Sequence, residues 1–466
     1  MSAAATDENG PRQHERFGVA DELTCYYDRP AEPANVHVEV KVPGRLDAVA
    51  LGAAVAAVLA AEPRLAARRA PATRWQSSYH WEWPAGPDVQ PVGVASCADE
   101  ADLDRRRAAF LSQSPSLDQS PPLRFLLASA PDGDRLILNA HHARLDGMAC
   151  LRLFCEVASR YQALPTGAPE VAAAAEAGRI VAGQVGARAE FAPVPALLRQ
   201  GPAGADSQST PSGGRARSGV PLAAARIASQ PDLAAGRGAP GYGACLVPWD
   251  GLPAAAERLR ELGCSVNDLL IGALIATIAR WNAELGAHTG AVRITMPIGE
   301  RSQSAGGPSW SNRSRLTVVS VRAPANATVS MLLGEVAAQT RRAKESEGPQ
   351  VDVVSRILAG LPVPTAAKGW LLRAALRTAG AWVCDTSLVS NLGVVEPIRF
   401  GGLSVDDVWF STSAHMPRGL SLGAVTLGTR IRLAFRYRRA LFTDAAAVGF
   451  AGTYTRMLDH FARQET

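Results

Sequence analysis

Two adjacent histidines, His141 and His142, are the residues of this chain best suited to move a proton. The unperturbed pKa of histidine lies near neutrality, so a presented imidazole can take a proton from a hydroxyl or an amine and pass it on. Four residues after His142 come Asp146 and Gly147, which gives the spacing HHxxxDG. In this spacing, Asp146 either orients an imidazole directly or fixes the turn behind it by pairing with an arginine.

The sequence predicts a strand that ends at this motif and a helix that follows it. The apolar run Leu136 to Leu138 predicts a buried strand, and apolar residues at helical spacing from Met148 to Ala158 predict the helix. Neighbouring residues of an extended segment point to opposite sides, so only one of the two imidazoles can face a given cavity. Gly147 would allow a close backbone approach at the helix entry. A bare histidine pair is more often a core or surface feature, but an Asp and a Gly in register behind a strand favour the catalytic interpretation.

The stretch HHARLDG resembles the HHxxxDG signature of the condensation-domain and CoA-dependent acyltransferase superfamily, which includes chloramphenicol acetyltransferases, polyketide-associated acyltransferases and wax ester synthases. The resemblance implies that His142 is the catalytic base and that His141, Asp146 and Gly147 are structural. It also implies an α/β (α+β) fold of two chloramphenicol acetyltransferase-like lobes that form a V, with an active-site tunnel between them.

Segments further along the chain support the same resemblance. A helix predicted to begin at Ser265, SVNDLLIGALIATIARWN, is similar to the Asn-Asp segment of wax ester synthases. The predicted strand VRITMPIGERS resembles a strand of the family that ends in Pro-Val-x-x-Arg, which makes Arg301 a plausible partner for Asp146. The stretch EPRLAARR matches the His-Pro-x-Leu-Arg segment of the family only in part, so the arginine that serves Asp146 stays open.

The resemblance also indicates which residues would line the tunnel. The stretch LVSNLGVVEP resembles the Ser-Asn-x-Gly segment of the family, which makes Ser390 and Asn391 candidates, although Asn-Leu-Gly is also an ordinary strand exit. Ser413 and His415 fall on the hairpin that faces the site in relatives, and His415 is more often a surface histidine than a second base.

The strand predicted at Thr429 to Phe442, TRIRLAFRYRRALF, alternates apolar residues with arginines. The ordinary interpretation is an amphipathic strand whose arginine face is in solvent, and the alternative is a docking surface for an acidic carrier protein. The four arginines of this face are Arg430, Arg432, Arg436 and Arg438.

Length and composition set the domain organisation. A chain of 466 residues, 47% of them hydrophobic and 20% charged, is too long for one ordinary core and should form two lobes. We expect a flexible N-terminus at 1–16, an N-terminal lobe with the motif at 17–170, an inter-lobe helix and linker at 171–241, and a C-terminal lobe at 242–466. The segment from 201 to 219 is rich in Gly, Ser and Pro and is predicted to be mobile.

Other functional classes receive no support from the sequence. The seven cysteines include no CxxC pair, so neither a disulfide framework nor a zinc site is predicted, and the net charge of +5 does not argue for nucleic acid. Neither a signal peptide nor a run of about 20 apolar residues is found, which predicts a cytoplasmic protein without stable membrane insertion. No glycine-rich phosphate loop, metal cluster or flavin fingerprint appears.

The predicted function is acyl transfer from an acyl thioester to a hydroxyl or amine acceptor, giving an ester or an amide in natural-product biosynthesis. The donor is acyl-CoA or an acyl group on the phosphopantetheine of a carrier protein, with no tightly bound cofactor and no metal. The expected partners are a small-molecule acceptor and an acyl or peptidyl carrier protein, and the expected state is a monomer. The alternatives are a lipid enzyme of the wax ester or diacylglycerol acyltransferase type and a non-catalytic module that binds carrier proteins.

Overall fold

The computed structural model of the chain describes residues 14–164, 225–229, 241–299, 310, 314–345 and 353–463. These residues belong to one compact unit, made of residues 1–164 and 223–466. The predicted mobile segment at 201–219 and most of the predicted inter-lobe segment lie outside the described residues. Those two expectations therefore stay predictions.

The described residues contain both strands and helices, as expected for the predicted α/β class. The strands are β1 His14–Arg16, β2 Asn35–Val42, β3 Arg68–Arg69, β4 His80–Glu82, β5 Val92–Ser96, β6 Leu123–Ala130, β7 Gly133–His141, β8 Tyr242–Trp249, β9 Ala291–Gly299, β10 Ser314–Arg322, β11 Ser387–Val395, β12 Arg399–Phe400, β13 Leu403–Ser404, β14 Asp407–Thr412, β15 Leu420–Leu427 and β16 Arg430–Arg438. The helices are α1 Val19–Tyr27, α2 Ala48–Ala61, α3 Glu100–Leu111, α4 Gly147–Ala163, α5 Leu252–Glu261, α6 Val266–Glu284, α7 Val329–Glu345, α8 Val353–Gly360, α9 Thr365–Val383 and α10 Asp444–Arg463.

The N-terminal lobe is built on a five-stranded sheet in the order β14-β2-β7-β6-β5, in which β5 and β6 are parallel and the other neighbours antiparallel. Successive side chains of a strand point to opposite sides, so β2 has two different faces. Val36 and Val38 point into a core that includes residues of α2 and α4, whereas His37 and Glu39 point to the opposite face. There the buried Glu39 carboxylate pairs with Arg107 of α3, Oε2 to Nε 2.7 Å. Pairing is what makes a buried carboxylate tolerable.

The C-terminal lobe is built on a six-stranded sheet in the order β10-β9-β11-β15-β16-β8. One face of this sheet packs against a core to which α5, α6, α7 and α10 contribute. Helix α6 begins at Ser265 as predicted, with a capping box in which Asp268 accepts hydrogen bonds from the amide and the hydroxyl of Ser265 at 2.7 Å. Most of α6 is buried, which explains why its sequence is apolar on nearly all sides.

The two sheets meet where β14 leaves the C-terminal part of the chain and pairs with β2 of the N-terminal sheet. Strand β14 also packs against β15 and β16 of the other sheet. The approach is close at Gly423 of β15, because a Cβ atom there would overlap the carbonyl oxygen of Phe410. One strand from the second lobe therefore belongs to the sheet of the first lobe, and the predicted boundary at residue 242 does not separate the two sheets completely.

The predicted flexible N-terminus at 1–16 needs a correction at its end. Residues His14, Glu15 and Arg16 form β1, which pairs antiparallel with β4 in a three-stranded sheet. All three residues are polar and exposed. The sequence therefore shows no periodic pattern of apolar residues that would predict this strand. Residues 1–13 lie outside the described residues.

The arginine strand is present as β16, but both interpretations of its arginine face are wrong for three of the four residues. Arg432, Arg436 and Arg438 are buried, and Arg430 at the strand's start is exposed. Arg432 Nε donates to Asp407 Oδ1 of β14 at 2.5 Å. The face is covered because the N-terminal sheet lies against it, so its charges are neither solvated nor available to a carrier protein.

Arg436 makes the most extensive contacts of this strand with the N-terminal lobe. Its side chain is fully buried, and Nη2 donates to Asn35 Oδ1 at 2.5 Å and to the carbonyl oxygen of Leu111 at 2.8 Å. Its guanidinium also lies 4.3 Å from the centre of the Tyr242 ring. Burial lowers the pKa of Arg436 to about 10, so it stays charged at neutral pH.

We expect Arg436→Met to lower the free energy of unfolding by about 3 kcal/mol, because buried oxygens of Asn35 and Leu111 lose a charged donor. Arg430→Met on the same strand is the control, since the Arg430 side chain is 61% exposed and should contribute less than about 0.5 kcal/mol. Urea denaturation of the two variants measures the difference. Equal stability of both variants would show that the buried arginine does not hold the lobes together.

Within the described residues, no single helix is long and apolar enough to cross a bilayer. The pair α5 and α6 meets the length and composition criteria only when taken together, across a bend of 102°.

Candidate active site

His142 lies in the turn between β7 and α4, where the chain leaves the N-terminal sheet. Its amide donates to the carbonyl oxygen of Ala34 at 2.9 Å, and its ring Nδ1 lies 3.2 Å from the carbonyl oxygen of Leu145. A carbonyl oxygen can only accept, so Nδ1 carries the hydrogen in this contact. The neutral ring then has its lone pair on Nε2, which makes no hydrogen bond to any described residue. This is the tautomer that a general base requires.

The pKa of His142 is lowered from its ordinary value, chiefly because the ring is largely desolvated by its surroundings. The Asp146 carboxylate and the Leu145 carbonyl act in the opposite direction and only partly offset the desolvation. A lowered pKa keeps the imidazole neutral at physiological pH, and only a neutral imidazole can accept a proton. The residue as a whole is only partly buried.

His141 is buried and is held in place from both ring nitrogens. Its Nδ1 accepts a hydrogen bond from the Ala143 amide at 3.1 Å, and its Nε2 lies 3.4 Å from Asp28 Oδ2. Burial alone would raise the pKa of Asp28, but hydrogen bonds from His141 and from the Ala34 amide lower it overall. With Nδ1 hydrogen-bonded and Nε2 close to the Asp28 carboxylate, His141 is suited to fixing the turn, and its structural role remains our proposal.

Asp146 is the N-cap residue of α4. Its Oδ1 accepts a hydrogen bond from the Ala149 amide at 2.9 Å, which satisfies one of the free amides at the start of the helix. The carboxylate is buried, with 8% of the residue exposed. The predicted partner, Arg301, lies outside the described residues, so the ion pair between them stays a prediction.

Gly147 lies at a close contact between the two lobes. A Cβ atom at this position would lie 2.6 Å from Phe410 Cε2 of β14 and 2.8 Å from Leu392 Cδ2 of β11. Both neighbours are side chains of the C-terminal part of the chain, so the glycine lets α4 begin directly against them. The close approach expected at the helix entry is present.

We expect Gly147→Ala to lower the free energy of unfolding by about 1–3 kcal/mol, the usual cost of forcing an extra carbon into a packed interior. Gly52→Ala in α2 is the control, because a Cβ there meets nothing within 4 Å. Alanine is the better helix former, so the control should be as stable as the parent or more stable. Thermal denaturation compares the two, and a parent-like Gly147→Ala would show that the contact can relax.

The predicted tunnel residues occupy different surroundings. Ser390 is buried on β11, opposite Gly423 of β15. The Asn391 side chain donates to Asn267 Oδ1 of α6 at 2.7 Å and accepts from the Gly393 amide at 2.9 Å, so it is already engaged in the C-terminal lobe. Ser413 is buried directly after β14. Their roles in lining a tunnel stay proposals.

His415 is partly buried and is not the ordinary surface histidine that its sequence indicated. Its Nε2 lies 2.9 Å from the carbonyl oxygen of Glu32 and therefore donates to it. Burial, reinforced by the charge of Arg418, lowers the pKa of His415 to about 3. Because Nε2 already donates to a backbone oxygen, we assign His415 no part in proton transfer.

One face of the six-stranded sheet is covered at β15 and exposed at β10. Paired residues of neighbouring strands share a face, so Thr295 of β9 and Leu388 of β11 lie on the same side as Ser421 of β15. Ser421 Oγ donates to the carbonyl oxygen of Thr412 in β14 at 2.6 Å, so this side faces the N-terminal lobe. At β10 the same face is open, and Val318, which pairs with Thr295, is 44% exposed.

Ser390 lies two residues after Leu388 and therefore on the same face, between the covered part at β15 and the exposed residues of β10. We call the β10 part the groove face. Its exposed residues are Leu316 and Val318, whereas the neighbouring Thr295 of β9 is buried.

Two features of the site could not be predicted from the motif. The Leu145 carbonyl, which sets the tautomer of His142, is a backbone group that any residue would provide. Asp28, which faces His141, is 113 positions away in the sequence and gave no motif of its own. A helix pattern at Val19–Tyr27, immediately before Asp28, was the only available signal.

No protein-family model matches the chain. Two curated proteins of Mycobacterium tuberculosis, the uncharacterized proteins Rv2305 and MT2362, are each 29% identical over 445 residues, which is 94% of this chain and 97% of theirs. The similarity therefore extends over nearly the whole of both chains.

Solved structures resemble the chain over nearly its full length. The first condensation domain of the CDA synthetase superposes with a TM-score of 0.59 at 14% identity, covering 96% of both chains. The wax ester synthase/diacylglycerol acyltransferase from Marinobacter aquaeolei gives 0.58 at 12% identity, covering 97% of this chain and all of that one. A mutant starter condensation domain of rhizomide synthetase RzmA, in complex with C8-CoA and Leu-SNAC, gives 0.55 at 15% identity, covering 96% and 92%. The chain thus has the two-lobed fold of the condensation-domain and CoA-dependent acyltransferase superfamily, as the HHxxxDG motif and its flanking segments predicted.

Proposed function

We propose that the chain is an acyltransferase that joins an acyl thioester to a hydroxyl or amine acceptor and forms an ester or an amide. The observation that carries this proposal is the geometry of His142. Its Nδ1 donates to the Leu145 carbonyl, its pKa is lowered, and its Nε2 is available as a base. The two-lobed fold adds support, because the proteins that share it are named as condensation domains and as an acyltransferase.

The proposed step needs one proton carrier. The oxygen or nitrogen of the acceptor attacks the thioester carbonyl carbon. As it does so, Nε2 of His142 takes the proton from the acceptor hydroxyl or amine. The tetrahedral intermediate then collapses, the carbon–sulfur bond breaks, and the imidazolium returns the proton to the departing sulfur. His142 ends neutral, and the products are the ester or amide and the free thiol. Asp146 and Gly147 hold the turn on which the imidazole sits.

The donor we propose is acyl-CoA or an acyl group on the phosphopantetheine of a carrier protein, since both present the same thioester on the same arm. A role in natural-product biosynthesis and a cytoplasmic, monomeric state complete the proposal. The carrier protein would dock elsewhere than on the arginine strand, because three of its four arginines are buried.

A lipid activity of the wax ester synthase type is the second candidate, and one observation favours it. The stretch 353–383 contains four Lys or Arg residues, of which Lys368 is buried, and no Asp or Glu. Helices α8 and α9 within it expose Ile357 by 61% and Trp370 by 63%, and the neighbouring Trp75 is 72% exposed. Basic helices with exposed aromatic and aliphatic residues are typical of proteins that work at lipid surfaces. The sequence alone did not reveal this surface.

The test is to incubate the purified protein with acyl-CoAs and acyl carrier proteins of different chain lengths, each with amine, short alcohol and long-chain alcohol acceptors. Mass spectrometry should detect the ester or amide together with one equivalent of free thiol. Products formed only with long-chain alcohols would favour the lipid enzyme. Absence of any product, from folded protein that still binds acyl carrier proteins, would leave the non-catalytic binding module.

A further inference from the structure

Asp28 lies directly after α1 and begins a loop, residues 28–34, that leads to β2. Its amide donates to the carbonyl oxygen of Thr24 at 3.0 Å, which makes Asp28 the C-cap of the helix. The carboxylate has two contacts: Oδ1 accepts from the amide of Ala34 at 2.8 Å, and Oδ2 lies 3.4 Å from Nε2 of His141. The proposed acyl transfer assigns this carboxylate no chemical step.

Both contacts of Asp28 continue to His142. The carbonyl oxygen of Ala34 accepts from the His142 amide at 2.9 Å, so Ala34 connects Asp28 to the backbone of His142. The carbonyl oxygen of His141 accepts from the amide of Leu145 at 3.2 Å, and the Leu145 carbonyl lies 3.2 Å from Nδ1 of His142. Asp28 is therefore linked to the backbone of His142 by one route and to its ring by the other.

The hydrogen on His141 is directed at Asp28. Nδ1 of His141 accepts from the Ala143 amide at 3.1 Å, so the neutral ring carries its hydrogen on Nε2. This nitrogen is buried and makes no hydrogen bond of ordinary geometry to a described residue, and the acceptor that it faces is the Asp28 carboxylate. A buried donor without an acceptor is unfavourable, so His141 and its turn should shift if the carboxylate is removed.

The 28–34 loop is itself held by the C-terminal lobe. Nε2 of His415 donates to the carbonyl oxygen of Glu32 at 2.9 Å, and Arg438 of β16 donates to the carbonyl oxygen of Ala31. A shift of the loop would break these contacts. They give His415 a structural task and keep the Asp28 carboxylate in a fixed place beside the histidine turn.

We propose that Asp28 is a positioning residue that holds His142 in the tautomer with the hydrogen on Nδ1 and a free Nε2. This rests on the proposed role of His142 as the general base. The nitrogen of a histidine that carries the hydrogen is set by the hydrogen bonds of the ring, and in His142 that bond is the one to Leu145. At 3.2 Å it is already at the long end of the usual range, so a small shift of the turn would break it.

The tautomer can be observed by NMR without any substrate. The full chain is labelled with 15N-histidine, and the His142 signals are those missing from the spectrum of His142→Ala. At a pH where the ring is neutral, the parent should carry the hydrogen of His142 on Nδ1. Asp28→Asn should show both tautomers, because the amide offers one oxygen where the carboxylate offers two, and Ala34 and His141 cannot both be held. An unchanged His142 spectrum would overturn the proposal.

Asp134→Asn is the matched control at the other end of β7. One oxygen of Asp134 accepts from the Leu46 amide at 2.8 Å, and the other accepts from Arg45 at 2.7 Å. Its side chain is 1% exposed, against 29% for Asp28, so Asp134→Asn should lower the melting temperature at least as much. It should leave the tautomer of His142 unchanged.

Asp28→Glu is a second variant in case Asp28→Asn does not fold. It keeps the negative charge and moves the carboxylate by one carbon, so the two contacts cannot both keep their present geometry. The second tautomer of His142 should appear here as well, and its absence from a folded Asp28→Glu protein would count against the proposal.

Steady-state kinetics provide the functional measurement. Asp28→Asn should lower kcat per folded molecule by about tenfold or more, because a misplaced catalytic group is a poor one. The Michaelis constant should stay within about twofold of the parent value, since Asp28 acts through the turn. Asp134→Asn should keep the parent kcat, and an equal loss in both variants would reduce Asp28 to general stability and overturn the proposal. If the parent transfers no acyl group but Asp28→Asn still changes the tautomer, the positioning role stands and the proposed function falls.

Discussion

His142→Ala should reduce kcat/KM for acyl transfer by about 10²–10⁴-fold, the range that a positioned general base contributes. The residual rate would come from holding the thioester and the acceptor together, which does not need the imidazole. The fold should tolerate the change, since among the described residues the ring makes one hydrogen bond, to the Leu145 carbonyl, and the residue is only partly buried. The measurement is a steady-state assay of purified protein whose melting temperature has been compared with that of the parent.

His141→Ala is the comparison that separates the two neighbours. His141 is buried between the Ala143 amide and Asp28, so its removal should lower the melting temperature more than His142→Ala does. Its effect on the rate should be the smaller one once activity is expressed per folded molecule. If the larger loss of activity follows His141→Ala and not His142→Ala, the roles of the two histidines are reversed.

The second large effect is expected at Asp146. Two substitutions there separate the role of the N-cap hydrogen bond from the role of the negative charge. Asparagine keeps an oxygen that can accept from the Ala149 amide, so Asp146→Asn preserves the N-cap and removes the negative charge. If the buried carboxylate pairs with an arginine, as the motif predicts, Asp146→Asn should lower the free energy of unfolding by about 3–5 kcal/mol. Asp146→Ala should cost about 1 kcal/mol more, because the cap is lost as well.

Urea denaturation at neutral pH distinguishes the contribution of the N-cap from that of the negative charge. The loss of activity per folded molecule, expressed as a free energy, should be smaller than the loss of stability. If Asp146→Asn is as stable as the parent and the free energy of unfolding of Asp146→Ala is about 1 kcal/mol lower, the aspartate acts only as a helix cap. Parent-like stability together with lost activity would place the carboxylate in the chemistry.

Much of the secondary structure could be predicted because its signals are local. The strict alternation of apolar residues from Val36 to Val42 predicts a strand, which the structure has as β2, and the Pro-Asp-Gly-Asp turn predicts the hairpin of β6 and β7. Ser265, with Asp268 three residues later, predicts where α6 begins. Each of these signals depends on the backbone geometry of a few consecutive residues, and the structure confirms them.

What covers a surface could not be predicted, because it depends on chain segments far apart in sequence. The period of two in β16 correctly predicted a strand, but the same pattern fits a solvated arginine face and one buried against another sheet. Arg436 is buried because β2, 401 residues away at Asn35, lies against it. The helices α8 and α9 were likewise missed, and among their described residues Ile357, Trp370 and Leu371 are exposed.

At the site itself, the motif predicted the residue types and their order but not the protonation of His142. The lowered pKa results from desolvation of the ring by its surroundings, and the tautomer results from a backbone carbonyl three residues away. Neither the pKa nor the tautomer of His142 can be inferred from the seven residues of the motif. The motif identified the candidate base, and the structure supplies the reason that its Nε2 can act as one.

The pH dependence of kcat/KM with one donor and acceptor pair tests the central claim most directly. A neutral imidazole is required, so the rate should be low in acid, rise with pH as His142 loses its proton, and then stay level through neutrality. Because burial lowers the pKa of His142, the midpoint of the rise should lie below about 6.5, the ordinary value for histidine. A rate that falls as the pH rises through this range, as for an obligatory imidazolium acid, would contradict the assignment of His142 as the general base.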